Sequence, residues 1–186
     1  MRNAHRHRDS EDRRSWLAGD RMMLALRDGL CVPVREIRAE DAPALQRLVR
    51  RSSERSVELR FFGPLKELTN GMARRFAEVD GQDRFALVAL DPEDKEEIVA
   101  VVRYEREGED GDAEYAAMVE DRFQGRGLGL GLTQRLIEAA RENGIGRLHA
   151  LVMRGNVRML RLLQALDLPE HRYWDNGAEH IEIELT

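Results

Sequence analysis

The sequence predicts a mixed α/β (α+β) domain in which helices flank a central sheet of about six strands. Three observations carry that expectation. Segments of strand period and of helix period follow one another in the order β-α-α-α-β-β-β-α-β-α-β. Two apolar runs, Arg84 to Leu90 and Ile98 to Glu105, flank an Asp91-Pro92 turn as the arms of a hairpin. A glycine-rich turn, Gln124-Gly125-Arg126-Gly127-Leu128-Gly129, joins a strand-like run ending at Val119 to an amphipathic helix from Leu130 to Arg141.

From the N-terminus, residues 1–20 are expected to form a flexible tail, because Arg2, Arg6, Arg8, Arg13 and Arg14 interleave with Asp9, Glu11 and Asp12 and little is apolar. His5 and His7 lack the further ligands a metal site needs. Trp16 to Leu26 has a short apolar pattern, expected to be a helix packed on the domain or on a second subunit, which makes a homodimer one expectation. The domain takes in residues 21–186, with regular structure from near Val32.

Val32, Val34 and Ile37 suggest a first strand; Asp41 is the expected N-cap of a helix with Pro43 in its opening turn and Leu45, Leu48 and Val49 on its apolar face. Helices are expected over Ser53 to Leu59 and Lys66 to Val79, then the hairpin. Glu105 to Asp112 is an acidic turn before a strand from Ala113 to Val119. The helix after the glycine turn ends near Asn143-Gly144, where glycine suits the C-cap. A strand from Arg147 to Met153, a helix from Val157 to Leu166 and a strand from Glu179 to Leu185 complete the order.

With 186 residues the chain suits one domain with a real core. It is 42% hydrophobic and 35% charged, the balance of a globular protein. A net charge of −5 with interleaved signs argues against nucleic acid as the main ligand. No apolar run approaches the ~20 residues of a membrane span, and the first residues lack the apolar core of a secretory signal. The single cysteine, Cys31, excludes an internal disulfide and fits a reducing cytoplasm; it is expected to be a half-buried apolar residue.

A glycine turn between strand and helix leaves backbone N–H groups unpaired at the positive end of a helix dipole, where phosphate binds. Two phosphate carriers fail on spacing. The dinucleotide fingerprint needs glycine where Leu130 or Leu132 stands, and the triphosphate loop needs a lysine that is not there. The remaining pattern, Gln-x-x-Gly-x-Gly, resembles the acetyl-CoA signature of the GNAT N-acetyltransferase superfamily. The element order is close to that of the superfamily over about Val32 to Leu185. Arg60-Phe61-Phe62-Gly63-Pro64-Leu65-Lys66-Glu67-Leu68 looks like a segment of the bacterial protein-lysine acetyltransferase (Pat) branch, and as plain structure it is a turn with Phe61 and Phe62 in the core.

The resemblance implies a sheet split by the acyl-CoA site, acetyl-CoA as cosubstrate, and transfer to a primary amine by direct attack in a ternary complex. A free lysine amine with a pKa near ~10.4 is almost wholly protonated at pH 7, so a base is needed. The oxyanion formed needs a backbone N–H donor. The resemblance places a glutamate base at Glu114, with Glu120 the competing carboxylate; strand parity puts Glu114 with Ala116 and Met118 on a mostly apolar, partly desolvated side. As plain structure Glu114 is a strand-edge glutamate. Met118, Val119 and Glu120 are implied to offer backbone groups to the pantetheine arm, with the Val119 N–H as oxyanion donor. Gln124 to Gly129 would cradle the pyrophosphate, with the Gly127 and Gly129 amides central. Arg126 either neutralises a phosphate or stands in solvent; Asn156 either contacts pantetheine or only caps a helix. Where the superfamily carries an acidic tyrosine this chain has Leu163, leaving Tyr173 or water to protonate a thiolate that needs little help; His149 is expected to be structural.

The run Glu105, Glu107, Glu109, Asp110, Asp112 is either a solvated hairpin tip or an attractor of a cationic acceptor. The favoured acceptor is an exposed lysine of a protein, with acyl-CoA synthetases as implied targets. A polyamine or aminoglycoside acetyltransferase and a non-catalytic acyl-CoA-binding module are the alternatives. No nucleotide-sensing domain is visible in these residues, so control by one is not expected of them.

Overall fold

The computed structural model describes residues 22–108 and 111–185. The expected tail, the His5–His7 pair, most of the Trp16 segment and the tip residues Glu109 and Asp110 lie outside them. Two strands open the described chain, β1 (Met22–Ala25) and β2 (Cys31–Glu36). Three helices follow: α1 (Ala42–Arg51), α2 (Glu54–Phe61) and α3 (Asn70–Ala77). After β3 (Arg84–Leu90), β4 (Ile98–Glu107) and β5 (Asp112–Val119) come α4 (Leu128–Glu142), β6 (Arg147–Met153) and α5 (Val157–Gln164). A final hairpin holds β7 (Glu170–Asp175) and β8 (Ala178–Glu184).

The strands form one mixed sheet in the order β1-β2-β3-β4-β5-β6-β8-β7, eight strands where about six were expected. Only β5 and β6 run parallel. The two unexpected strands sit at the edges, where a period-two apolar signal is weakest. Met22–Ala25 is a strand and not the end of a helix: Leu24 alone of its residues is buried, and a Cβ built on Gly131 of α4 would stand 2.8 Å from its Cδ1. β7 has no buried residue at all, and its Tyr173 and Trp174 are adjacent rather than alternating, so no period-two pattern marked it.

Two cores lie on opposite faces. Leu45, Leu48 and Val49 of α1, Val57 of α2 and Ala73 of α3 meet Val88, Ile98 and Met118 on one face. Leu128, Leu132 and Leu136 of α4 and Leu163 of α5 meet Val102, Tyr115 and Ile181 on the other. Asp41 does not cap α1 with its side chain. It accepts the Arg38 N–H (2.8 Å) and both arms of the Arg35 guanidinium (2.7 Å each), closing the short turn before the helix. α3 starts later than expected because the Thr69 hydroxyl accepts the Met72 N–H there. Cys31 is exposed rather than half-buried. Phe61 packs on the core, but Phe62, left-handed at φ 60°, is 45% exposed. Among the described residues no helix is long and apolar enough to cross a membrane.

Candidate active site

Parallel pairing of β5 with β6 covers three positions, Asp112↔Arg147, Ala113↔Leu148 and Glu114↔His149. Beyond Glu114 the strands part, and β6 continues with β8 alone. The split opens into a cleft of about 440 Å³, walled by α2 on one face of the sheet and by α5 and the glycine turn on the other. Ala117 and Val119 belong to the α4–α5 face and Met118 to the α1–α3 face, so the cleft passes through the sheet.

Backbone direction along β5 follows from one bond. The Glu120 N–H donates to the Val99 carbonyl of β4 at 2.8 Å. Antiparallel alternation then turns the N–H and C=O groups of Val119 and Ala117 away from β4 and into the split. The Val119 carbonyl accepts from Gln124 Nε2 (2.8 Å), which leaves the Val119 N–H on the cleft side. The same alternation points the Met118 backbone back at Val101, so Met118 lines the cleft with its side chain only, contrary to the expectation of a backbone contact.

At the turn, Gly125 (φ +73°) and Gly127 (φ +91°) are left-handed, and Gly127 is the N-cap of the 15-residue α4. Among the described residues no acceptor is found for the N–H groups of Gly125, Arg126, Gly127, Leu128 and Gly129; Gly131 is the first to bond back, to Gly127 (3.0 Å). Five free donors thus stand at the positive end of a long helix dipole. Gln124 pins the turn through Nε2 to Ser56 Oγ (3.0 Å) and to Val119, and its Oε1 is buried without a donor. Arg27 lies beside the turn, its Cγ 3.3 Å from where a Gly127 Cβ would stand, and Arg158 and Arg161 line the same cleft. A diphosphate carried on a long amide-bearing arm fits this set: free N–H groups and guanidinia for the phosphates, an orphan acceptor and a free strand edge for the amides.

Comparison with known proteins agrees with the geometry. The model of the Acetyltransferase (GNAT) domain matches residues 32–168. An acetyltransferase of Pseudomonas aeruginosa is 32% identical over 164 residues, which cover 88% of this chain and 88% of that one. The GNAT domain of S. lividans PAT superposes with a TM-score of 0.81 at 32% identity, covering 88% of this chain and 96% of that one. Acetyltransferase Pat of Mycolicibacterium smegmatis is 34% identical over 112 residues, 58% of this chain and 32% of that longer protein.

The chain belongs to the GNAT acetyltransferase family. It is an acyl-CoA-dependent acetyltransferase, and acetyl-CoA is its cosubstrate.

In this GNAT chain Glu114, Met118, Val119, Gln124, Gly125, Gly127, Gly129 and Asn156 all line the cleft. Arg126 and Leu128 do not. Leu128 is a core residue, 1% exposed, and Arg126 is committed to Asp28 (2.6 Å) on the β1–β2 turn. Glu114 is exposed, not desolvated as its neighbours on the strand suggested. Glu120 is excluded as base: it is 5% exposed and its carboxylate is held by Arg51 (3.1 Å) and Arg122. Asn156 caps α5, accepting the Met159 N–H at 3.2 Å, while also lining the cleft. Gly129 is glycine for a packing reason as well, since a Cβ there would stand 2.9 Å from Leu162 Cδ1. Leu163 is buried in the core, and Tyr173 stacks on His180 (centroids 4.8 Å apart) outside the cleft lining. The described members of the acidic run have partners within the chain: Glu105 pairs with Arg75 (2.6 Å), Glu107 lies 3.4 Å from His149 and Asp112 pairs with Arg147 (3.1 Å).

Arg27, Ser56, Arg60 and Arg158 line the cleft and had no role assigned from sequence. Arg158 carried a signal, standing two residues beyond an N-cap asparagine. Arg27, Ser56 and Arg60 come from elements distant in sequence, and only the fold brings them together.

Proposed function

We propose that this enzyme, acting in the cytoplasm, transfers the acetyl group of acetyl-CoA to the side-chain amine of a lysine in a protein, by direct attack in a ternary complex with Glu114 as base. Acetyl-CoA supplies the acetyl group as a thioester. The reading rests chiefly on one observation: Glu114 is the last paired residue before β5 and β6 part, and it lines the cleft there. A carboxylate at that point takes a proton from an amine entering between the strands, directly or through one water. The Val119 N–H, on the same open strand edge, is the donor for the carbonyl oxygen as negative charge develops. The turn from Gln124 to Gly129 holds the diphosphate through its free amides, Arg27 adds charge beside them, and Arg158 adds charge to the same cleft. The leaving thiol, with an ordinary pKa near ~8.5, needs no dedicated acid.

Similarity to the GNAT domain of S. lividans PAT over 88% of the chain, together with the Arg60 to Leu68 segment, supports a protein acceptor, with acyl-CoA synthetases as candidate targets. The test is incubation with labelled acetyl-CoA and a cell lysate, with Glu114→Gln in parallel. Label on protein lysines that is lost in the variant supports the reading. Label confined to small amines replaces the acceptor, and tight CoA binding with no transfer by the parent leaves a binding module.

A further inference from the structure

The acceptor side of the cleft holds more positive charge than its surroundings neutralise. On the α1–α3 face, Arg84, Glu105 and Glu114 form one cross-strand row, and Ala86, Arg103 and Ala116 the next. Glu105 is occupied by Arg75 (2.6 Å) and Arg84 (3.8 Å). Arg103 is 7% exposed; its Nη1 donates to the Phe76 carbonyl (3.1 Å), its guanidinium lies 4.8 Å from the Phe76 ring centroid, and its Nη2 is buried with no acceptor among the described residues. Arg60 stands beside it. The two line a cavity of about 20 Å³, and Arg60 with Met118 also lines the main cleft, so Arg60 is the wall between the spaces.

Among the described residues Arg60 has no carboxylate within 4.0 Å, and its guanidinium rests 4.9 Å from the Phe61 ring centroid. Arg60 is half-buried, and a partly desolvated guanidinium without an anion gains by pairing with one. Desolvation lowers the Arg60 pKa, opposed by the Glu114 charge, and burial with the Arg60 and Arg84 charges brings Arg103 down to about 10, so Arg103 is a cation at neutral pH.

We propose that Arg60, backed by Arg103, is a carboxylate-recognition subsite at the acceptor end of the cleft, so that the preferred acceptor is an amine with a carboxylate close to it. The amine meets Glu114 and the carboxylate meets Arg60, a pair of opposite charges matching a pair of opposite charges. The planar fork of arginine suits a carboxylate, which accepts two parallel N–H bonds from it. In a protein acceptor the carboxylate comes from an aspartate or glutamate beside the lysine; in a small acceptor it is that of an amino acid. The inference rests on the reading of Glu114 as the residue that receives the amine.

Calorimetric titration of the CoA-loaded full chain tests it without depending on turnover. Two matched pairs of probes are used: an end-blocked Lys-Asp dipeptide against its Lys-Asn counterpart, and L-lysine against L-lysinamide. The carboxylate-bearing member of at least one pair is expected to bind tenfold or more tightly. Arg60→Gln is expected to abolish that preference with CoA affinity kept, and Arg60→Lys, which preserves charge without the fork, to retain part of it. Absence of a preference in both pairs, or a preference that survives Arg60→Gln, overturns the subsite. If Arg60→Gln is misfolded, the Arg60→Lys comparison decides: an unchanged preference overturns the proposal and a reduced one supports it. A response from L-lysine alone removes the protein acceptor while the subsite stands; normal transfer to protein lysines without any preference removes the subsite while the protein acceptor stands.

Discussion

Glu114 gains its chemical position from a single break in pairing: one residue earlier its strand has a partner on both sides, and one residue later it has an open edge. Glu114→Gln keeps shape and hydrogen bonding while removing the proton acceptor. Steady-state assays are expected to show turnover lower by ~10² or more with CoA affinity unchanged; equal loss of both would make it a binding residue. Gly127 is a second residue whose identity is dictated, by its left-handed φ of +91° and by Arg27 Cγ 3.3 Å from where a Cβ would lie. Gly127→Ala introduces strain on the order of 1 kcal/mol and shifts the amides beside it. CoA affinity by calorimetry is expected to fall ~10-fold, with kcat at saturating cosubstrate little changed. The glycine turn was legible in the sequence because its reason is local, a spacing between strand and helix; Glu114 was singled out through the family resemblance and its place at the start of a strand. Arg60 was in plain view and had no legible role, since its neighbours Arg103 and Glu114 are brought to it by a helix docking on a sheet.

Elements hold the glycine turn from two sides. The β1–β2 turn braces it through the Arg27 N–H to the Arg126 carbonyl (3.0 Å) and through Asp28 to Arg126. The start of α2 braces it through Asp121, which accepts the Ser53 N–H and the Ser53 and Ser56 hydroxyls, each at 2.8 Å. Burial raises the Asp121 pKa, but these donors outweigh it and hold the group below its ordinary value. A carboxyl with a lowered folded pKa contributes stability above the unfolded value of ~3.9, and that contribution is lost as pH falls through the folded value. Thermal melts of Asp121→Asn are therefore expected to lie below the parent at pH 7, and the gap to narrow below about pH 4. A gap independent of pH would assign the effect to shape instead of charge. The long helices and the β3–β4 hairpin were legible from period and capping. β1 and β7 were not: four residues with one buried side chain, and six with none, carry no periodic signal.

Across the whole molecule, charge is sorted in a way that composition conceals. The chain has a net charge of −5, yet the cleft is lined by Arg27, Arg60, Arg158 and Arg161. The described residues of the acidic run that the sequence suggested as an attractor for cations stand against Arg75, Arg147 and His149. The local field at the cleft mouth therefore favours an anion, and it is exposed enough to be screened. The KM for acetyl-CoA is expected to rise several-fold between low and physiological ionic strength, and Arg27→Ala with Arg158→Ala to flatten that dependence; an unchanged slope in the double variant would place the phosphates elsewhere.

The most direct measurement is an amide NMR titration of the protein with CoA. The N–H signals of residues 125 to 129 and of Val119 are expected to move most and to become protected from exchange, because a diphosphate and a pantetheine arm take up donors that the protein itself leaves free. Saturable CoA binding that leaves those six signals in place would contradict the assignment of the split sheet as the cofactor site.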